Sequence, residues 1–256
     1  MINIVVPMAG HGSRFANAGY TDPKPLIPIG GRPMIEVVID NLRPSRAHRF
    51  IFLCQRAHLE QFGLGERLRA IAPGCAIVPV SEVTQGAACT VLLARELIDD
   101  ATPLMIANCD QYIDADIDDY LARMEAEQLD GLIMTMSADH PKWSYVRLDA
   151  AGDIVEVVEK QVVSNEATVG IYNFARGSDF VAAADAMIAA DLRVNGEFYV
   201  APTYNAMIAG GSRLGYYNIG ADRAGMYGLG VPEDLDYFLA HPLGRALDRA
   251  LDRAPD

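Results

Sequence analysis

The chain has 256 residues, 51% of them hydrophobic and 21% charged, with a formal net charge of −13. This length and apolar content suit one sizeable α/β domain and exclude a disordered chain. With 34 acidic against 21 basic side chains, a general binder of nucleic acid or of an anionic membrane is excluded, so any phosphate-rich ligand must be held by local cations and backbone N–H groups.

In chain order, Ile2 to Pro7 is a short apolar run expected to form a buried parallel strand. A Gly/Pro-containing loop follows from Met8 to about Arg32. Pro33 suits a first helical position, and Met34, Val37, Val38 and Leu42 give a helical stripe. Phe50 to Cys54 reads as a strand, Ala57 to Ala70 as a helix, Ala76 to Val80 as a strand and Gly86 to Leu97 as helical. Leu104 to Ala107 is a fourth strand, ending at Asn108-Cys109-Asp110. Strand alternating with helix is the pattern of a doubly wound parallel sheet, in which ligands bind beyond the carboxyl ends of strands.

The second half changes texture. Gly131 to Ser137 is a strand, and Tyr145 to Leu148 with Ile154 to Val158 form a hairpin through Ala150-Ala151-Gly152. Val169 to Phe174 is a strand, Ser178 to Ala190 and Phe198 to Ala209 are helical, and Leu214 to Ile219 is a final strand. A helix begins at Val231-Pro232-Glu233-Asp234, with acidic residues in its first turn. The tail after His241 is amphipathic, with Leu243, Leu247 and Leu251 on one face, which leaves packing on its own domain or on a second copy open. The expected organisation is a single domain over 1–256, with 1–115 mainly nucleotide-binding, 116–240 acceptor-binding and 241–256 a C-terminal helix.

Cys54, Cys75, Cys89 and Cys109 form no C-x-x-C pair, and the five histidines show no zinc spacing. The apolar N-terminus is too short to span a bilayer and lacks a basic leader, so a cytoplasmic protein without membrane partners is expected.

The chemistry concentrates in Met8-Ala9-Gly10-His11-Gly12-Ser13-Arg14-Phe15 and Asp22-Pro23-Lys24-Pro25-Leu26. Gly10 and Gly12 permit positive φ and close backbone approach, and successive N–H groups there can form an anion nest. Arg14 offers a bidentate hold on phosphate and Lys24 a point charge. Phe15 stands where a dinucleotide fingerprint needs its third glycine, and no Gly-Lys-Ser/Thr makes a Walker A loop.

The run GxGSRF followed by PKPLIPIGGRPMI resembles the signature of sugar-phosphate nucleotidyltransferases. That resemblance implies a Rossmann-like, GT-A-type α/β fold, with a mixed, mainly parallel central sheet flanked by helices and a substrate-binding β-hairpin region in the second half. It extends to Gln85-Gly86-Ala87-Ala88, similar to a base-contacting turn, and to Asn108-Cys109-Asp110, similar to a strand end whose carboxylate holds Mg²⁺. Val158-Glu159-Lys160 is similar to an acceptor-binding pair, and Thr168 to Tyr172 and Asn195 to Tyr199 also resemble family segments. The resemblance thus implies nucleotide contacts at Met8, Ala9, Gly10, Gly12, Ser13, Arg14, Lys24, Gln85 and Gly86. It implies acceptor contacts at Asn108, Glu159, Lys160, Gly170 and Glu197, a metal at Asp110, and catalytic roles for Arg14 and Lys24. Capsule-associated members, including cytidylyltransferases of unusual phosphorylated acceptors, are the nearest in pattern.

The reaction implied is attack of an acceptor phosphate on the α-phosphorus of CTP, dTTP or UTP with loss of pyrophosphate, in surface-polysaccharide precursor synthesis. Read without the resemblance, Asp110 also suits a turn, Glu159-Lys160 a solvated pair, Gln85 a residue before a helix and Glu197 a helix start. Trp143 and Tyr145 read as packing residues. Gly228 stands where many family members carry a second metal-binding Asp, with Asp222 and Asp234 nearby. The alternatives are a GT-A glycosyltransferase using Asp114-Ala115-Asp116, or a non-catalytic nucleotide binder. A C-terminal hexapeptide-repeat domain, and hence acetyl transfer, is not expected.

Overall fold

The structure, a computed structural model, describes residues 1–10 and 12–251, with side chains through residue 247. His11 of the glycine loop, the Leu251 side chain and residues 252–256 of the tail lie outside the described residues.

Strand β1 (Ile2–Met8) is apolar on both faces and is buried almost throughout, as a central parallel strand must be. It leads into the five-residue helix α1 (Ser13–Asn17) and a 3₁₀ turn at Lys24–Leu26. The short strands β2 (Pro28–Ile29) and β3 (Arg32–Pro33) then pair around Gly30 and Gly31, whose φ of 56° and 71° make the reversal a glycine turn. Helix α2 (Met34–Leu42) starts one residue later than the sequence suggests. Pro33 belongs to the hairpin and keeps an extended ψ of 139°, so it caps the helix rather than opening it.

Strand β4 (His48–Gln55) is followed by α3 (Arg56–Phe62) and α4 (Leu64–Ile71), where one helix was expected. Gly63 breaks it by adopting φ 62°. After β5 (Ala76–Val80) the expected helix is again two, α5 (Ala87–Leu92) and α6 (Arg95–Ile98). Strand β6 (Leu104–Ala107) runs into β7 (Gln111–Ile113), which the sequence pattern did not signal. Asp116 caps α7 (Ile117–Ala126) by accepting the Asp118 N–H at 2.8 Å.

The second half comprises β8 (Gly131–Ser137), the hairpin β9 (Ser144–Leu148) and β10 (Ile154–Glu159), β11 (Glu166–Phe174) and α8 (Gly177–Ala189). Helix α9 covers only Tyr204–Ala209, after a 3₁₀ turn at Ala201–Thr203. Phe198 and Tyr199 stay out of the helix because the Phe198 backbone is bound elsewhere, as described below. Strands β12 (Leu214–Asp222) and β13 (Gly225–Gly228) and helices α10 (Pro232–Ala240) and α11 (Pro242–Leu251) follow.

Among the described residues, eleven strands form one sheet with the path β5-β4-β1-β6-β11-β8-β12-β13-β7 and with β9-β10 attached at β11. Along that path all strands but β11 and β7 point the same way, giving the mixed, mainly parallel sheet expected. Alternate side chains feed two core layers. Ile4, Val6, Phe50 and Phe52 face α2, α4, α7 and α10. Val5, Ile51, Leu53 and Phe174 face α5, α6, α8 and α9. Leu243 and Leu247 of α11 pack against the first layer.

Phe174 stacks on Tyr204 at 4.6 Å between centroids and is fully buried. Phe174→Ala is expected to lower unfolding free energy by about 3–5 kcal/mol in urea denaturation; a loss below about 1 kcal/mol would show that the second layer collapses around the gap.

Candidate functional site

The carboxyl ends of β1, β4 and β6 open on one side of the sheet, and the glycine loop after β1 lies across them. Gly12 holds φ 61°, and a Cβ there would stand 3.4 Å from Lys24 Cβ, so the two signature segments fold against each other. Gln55, at the end of β4, donates to the carbonyls of Ala9 at 3.0 Å and Gly10 at 2.8 Å. It pins the loop from beneath. No sequence motif marks Gln55, because its partners are backbone atoms 46 and 45 residues away.

Lys24 Nζ meets Asp110 Oδ2 at 2.5 Å. Burial alone would lower the lysine pKa, but the Asp110 carboxylate outweighs it and the ammonium ends more tightly protonated than usual. Lys24 and Asp110 line a cavity of about 250 Å³ with Met8, Gly10, Gly12 and Asn108. Arg14 is exposed on α1 and borders an adjoining cavity of about 250 Å³ with Asp110, Gln111, Gly228 and Asp234. Ala9 is buried under the loop, and Ser13 begins α1.

A third cavity, of about 300 Å³, is bordered by Asn108, Trp143, Ser144, Glu159, Gly170 and Tyr199. Asn108 lines all three spaces. Its position depends on Gly170, where β11 bulges and φ is 84°. A Cβ on Gly170 would fall 2.1 Å from Asn108 Nδ2, and the Gly170 carbonyl accepts the Asn108 N–H at 3.0 Å.

Glu159 and Lys160 are not a solvated pair. The Glu159 carboxylate is buried and accepts the Ser144 hydroxyl. Burial pushes this carboxyl above the usual carboxylate range, against the opposing effects of Ser144 and Lys160. Lys160 turns away, adopts φ 57° and donates to Tyr199 Oη at 2.5 Å. Such a left-handed conformation in a non-glycine residue is uncommon and clusters at functional sites. Tyr172 and Thr168 share a 2.9 Å hydrogen bond on the same cavity wall.

Gln85 is exposed and lines none of these spaces, but its turn sits beside them. The Phe198 N–H donates to the Gln85 carbonyl at 2.8 Å and the Phe198 carbonyl accepts the Ala88 N–H at 3.0 Å. Gly86 makes this clasp feasible, since a Cβ there would lie 2.4 Å from the Phe198 carbonyl oxygen. Glu197 stays exposed within electrostatic reach of Lys160 and Tyr199 and does not line the cavity.

The two aromatic residues read as packing diverge. Tyr145 is fully buried and donates to the His140 carbonyl at 2.8 Å, whereas Trp143 borders two of the cavities with the Lys142 ammonium 4.4 Å from its ring centroid. Of the Asp114-Ala115-Asp116 triplet, Asp116 is engaged as a helix cap. Burial pushes the Cys54 thiol up to about 12 and the Cys109 thiol up to about 11, so neither is a thiolate nucleophile. Among the described residues no group of three or more His, Cys, Asp or Glu side chains gathers for a metal, and no helix is long and apolar enough to cross a membrane. Magnesium does not require such a group: it is commonly held by one or two carboxylates together with substrate phosphates and water. Asp110, beside Arg14 and Lys24, fits that donor set.

Comparison with known proteins gives a consistent picture. A family model described as "Nucleotidyl transferase" matches residues 4–190. The chain is 30% identical over 170 residues to the bifunctional protein GlmU of Cupriavidus metallidurans, a match covering 64% of this chain and 35% of that protein. It thus spans about a third of the length of the curated relatives it matches. A nucleoside-diphosphate-sugar pyrophosphorylase from Vibrio cholerae RC9 superposes with a TM-score of 0.79 at 26% identity, covering 93% of this chain and all (100%) of that one. The inositol-1-phosphate CTP transferase of T. maritima superposes at 0.72 with 13% identity, covering 99% and 97%, which shows the shared fold.

Because its pKa is raised on folding, Glu159 binds a proton more tightly in the native state, so its contribution to stability falls as pH rises above the unfolded value of about 4.3. Glu159→Gln keeps an acceptor for Ser144 and is expected to raise the thermal midpoint by about 1–3 °C at pH 8. The gain should vanish near pH 4; a lower midpoint than wild type at pH 8 would contradict the desolvation account.

Proposed function

Since the chain belongs to the nucleotidyl transferase family, we propose that it transfers a nucleoside monophosphate from CTP, dTTP or UTP to a sugar 1-phosphate or other small phosphorylated acceptor. An oxygen of the acceptor phosphate forms the new bond to the α-phosphorus. The bond from that phosphorus to the bridging oxygen breaks, and pyrophosphate leaves with the electron pair. The nucleophile is already ionised, so no general base is needed, and catalysis consists of alignment and charge stabilisation.

The observation that carries this reading is the Lys24–Asp110 pair in the wall of the glycine-loop cavity, which shares Asn108 with the third cavity. Gly10, Gly12 and Ser13 present the loop backbone to the triphosphate, on the support of Met8 and Ala9. Arg14 stabilises the departing pyrophosphate. Lys24 neutralises the α-phosphate and the approaching acceptor phosphate. Gln85 and Gly86 meet the base, while Asn108, Glu159, Lys160, Gly170 and Glu197 surround the acceptor. Asp110 would hold Mg²⁺, which when bound would offset negative charge on the phosphates. Residues 1–115 thus serve mainly the nucleotide and 116–240 the acceptor. A cytoplasmic role in surface-polysaccharide precursor synthesis is part of the same proposal, on the strength of the motif resemblance.

The test is a thermal-shift panel of CTP, UTP, dTTP, ATP and GTP with Mg²⁺, followed by a pyrophosphate-release assay with the stabilising nucleotide and a set of phosphorylated acceptors. The matching nucleotide, well above its Kd, is expected to stabilise the protein by about 2–4 kcal/mol. Lys24→Ala is expected to lower kcat at least about 100-fold. No pyrophosphate from any pair, with nucleotide binding unchanged in Lys24→Ala, would overturn the reading.

A further inference from the structure

The cavity beside Arg14 contains a second carboxylate that no motif assigns. Strand β13 pairs antiparallel with β7, which sets Gly228 opposite Gln111, and the Leu229 N–H donates to the Asp110 carbonyl at 2.8 Å. The turn Gly228-Leu229-Gly230 therefore runs alongside the end of β6, and both of its glycines leave room for acids. A Cβ on Gly230 would lie 2.4 Å from Asp110 Oδ2. One on Gly228 would lie 3.2 Å from Asp234 Oδ2. Asp234, in the first turn of α10, thus reaches back over the bare Gly228, so that its carboxylate occupies the space a side chain at 228 would enter.

Arg223 donates to Asp234 Oδ1 at 2.9 Å and fixes the carboxylate by one oxygen. The same cavity holds an independent sign of a ligand. Gln111 is 95% buried (5% exposed), lines this space, and its Nε2 is an unpartnered donor. An unpaired amide at that depth costs free energy unless a ligand oxygen or a water accepts from it. Two carboxylates, the Arg14 guanidinium and a waiting amide donor together match both signs of a divalent cation bound to phosphate oxygens. The carboxylates suit the cation, and Arg14 and Gln111 suit the phosphates.

The geometry points to Asp234 as the second carboxylate for the divalent cation, supplied from helix α10 in place of a ligand on strand β13. This rests on the reading of the site as one for a metal–triphosphate complex. Asp234 then acts with Asp110 on a cation whose remaining positions are taken by phosphate oxygens and water.

The test measures Mn²⁺ affinity by electron paramagnetic resonance with saturating inorganic pyrophosphate, alongside thermal melts to establish folding. Asp234→Ala is expected to weaken Mn²⁺ binding at least about tenfold. Arg223→Gln, which removes the ion pair but keeps the carboxylate, should stay within about threefold of wild type by the same scale. Adding Gly228→Asp to Asp234→Ala should restore most of the affinity, since φ at 228 lies outside the left-handed region and the truncated Asp234 vacates the space. Wild-type affinity in Asp234→Ala overturns the inference, as does an equal loss in Arg223→Gln with no rescue by Gly228→Asp, which would assign Asp234 a structural role. Pyrophosphate release by the wild type is scored separately. Turnover with Mn²⁺ binding indifferent to Asp234 rejects the ligand and keeps the reaction; binding that needs Asp234 without turnover rejects the reaction and keeps the ligand.

Discussion

Lys24 and Asp110 stand 86 residues apart in the chain, and the 2.5 Å ion pair between them closes the glycine loop onto the end of β6. Both side chains are about three-quarters buried, at 22% and 26% exposure. Removing one partner would leave the other as an uncompensated charge in a poorly solvated place, a change that costs far more than the pair itself contributes. On the proposed reaction each charge is the counterpart of the group the other would meet. The ammonium occupies the place of a cation at Asp110, and the carboxylate occupies the place of an anion at Lys24. A metal–triphosphate complex satisfies both at once, whereas either ion alone would strand one of them.

Around that pair the site is built by close backbone approach. Gly170 lets the Asn108 carboxamide cross β11, Gly86 lets the Phe198 backbone clasp the Gln85 turn, and Gly228 and Gly230 admit two carboxylates beside β13. At Gly86 and Gly170 the backbone is also left-handed or beyond, at φ 127° and 84°. At these two positions side-chain chemistry therefore depends on a residue that tolerates no side chain of its own. The segment that clasps the Gln85 turn continues into Tyr199, the partner of Lys160, so the turn and the acceptor-side lysine share one support.

Most strands could be read from the sequence because parallel strands buried on both faces are continuous apolar runs, as in Ile2–Met8 and Leu104–Ala107. The glycine loop, Lys24 and Asp110 were legible as a motif, and the structure brings them together. What escaped was set by tertiary contacts. Strands β7 and β13 are three and four residues long and exist by pairing with each other. Helix breaks at Gly63 and before Ala201 follow from a left-handed glycine and from hydrogen bonds to a distant turn. Gln55, Ser144 and Gln111 carry no local signal, since each is defined by a partner or cavity that the fold assembles. Asp234 was visible as a first-turn acid of α10, for which the helix dipole is a sufficient account, and as an acid near Gly228 that matches no motif by position.

The acidity of the chain gives these local arrangements a common purpose. A net charge of −13 disfavours a free polyphosphate, and at physiological ionic strength that field acts over roughly 8 Å. Lys24 offsets it in the glycine-loop cavity and Arg14 in the adjoining one, while Asp110 adds negative charge to both and Asp234 to the second. A site meant only for anions would not place two carboxylates there. On the proposed reaction their presence makes sense if the ligand carries its own cation: the acids would discriminate against the bare polyphosphate and favour the metal complex, and the same field would weaken the hold on pyrophosphate once the cation had gone. Selection for the complexed nucleotide and release of the product would, on that proposal, follow from one distribution of charge.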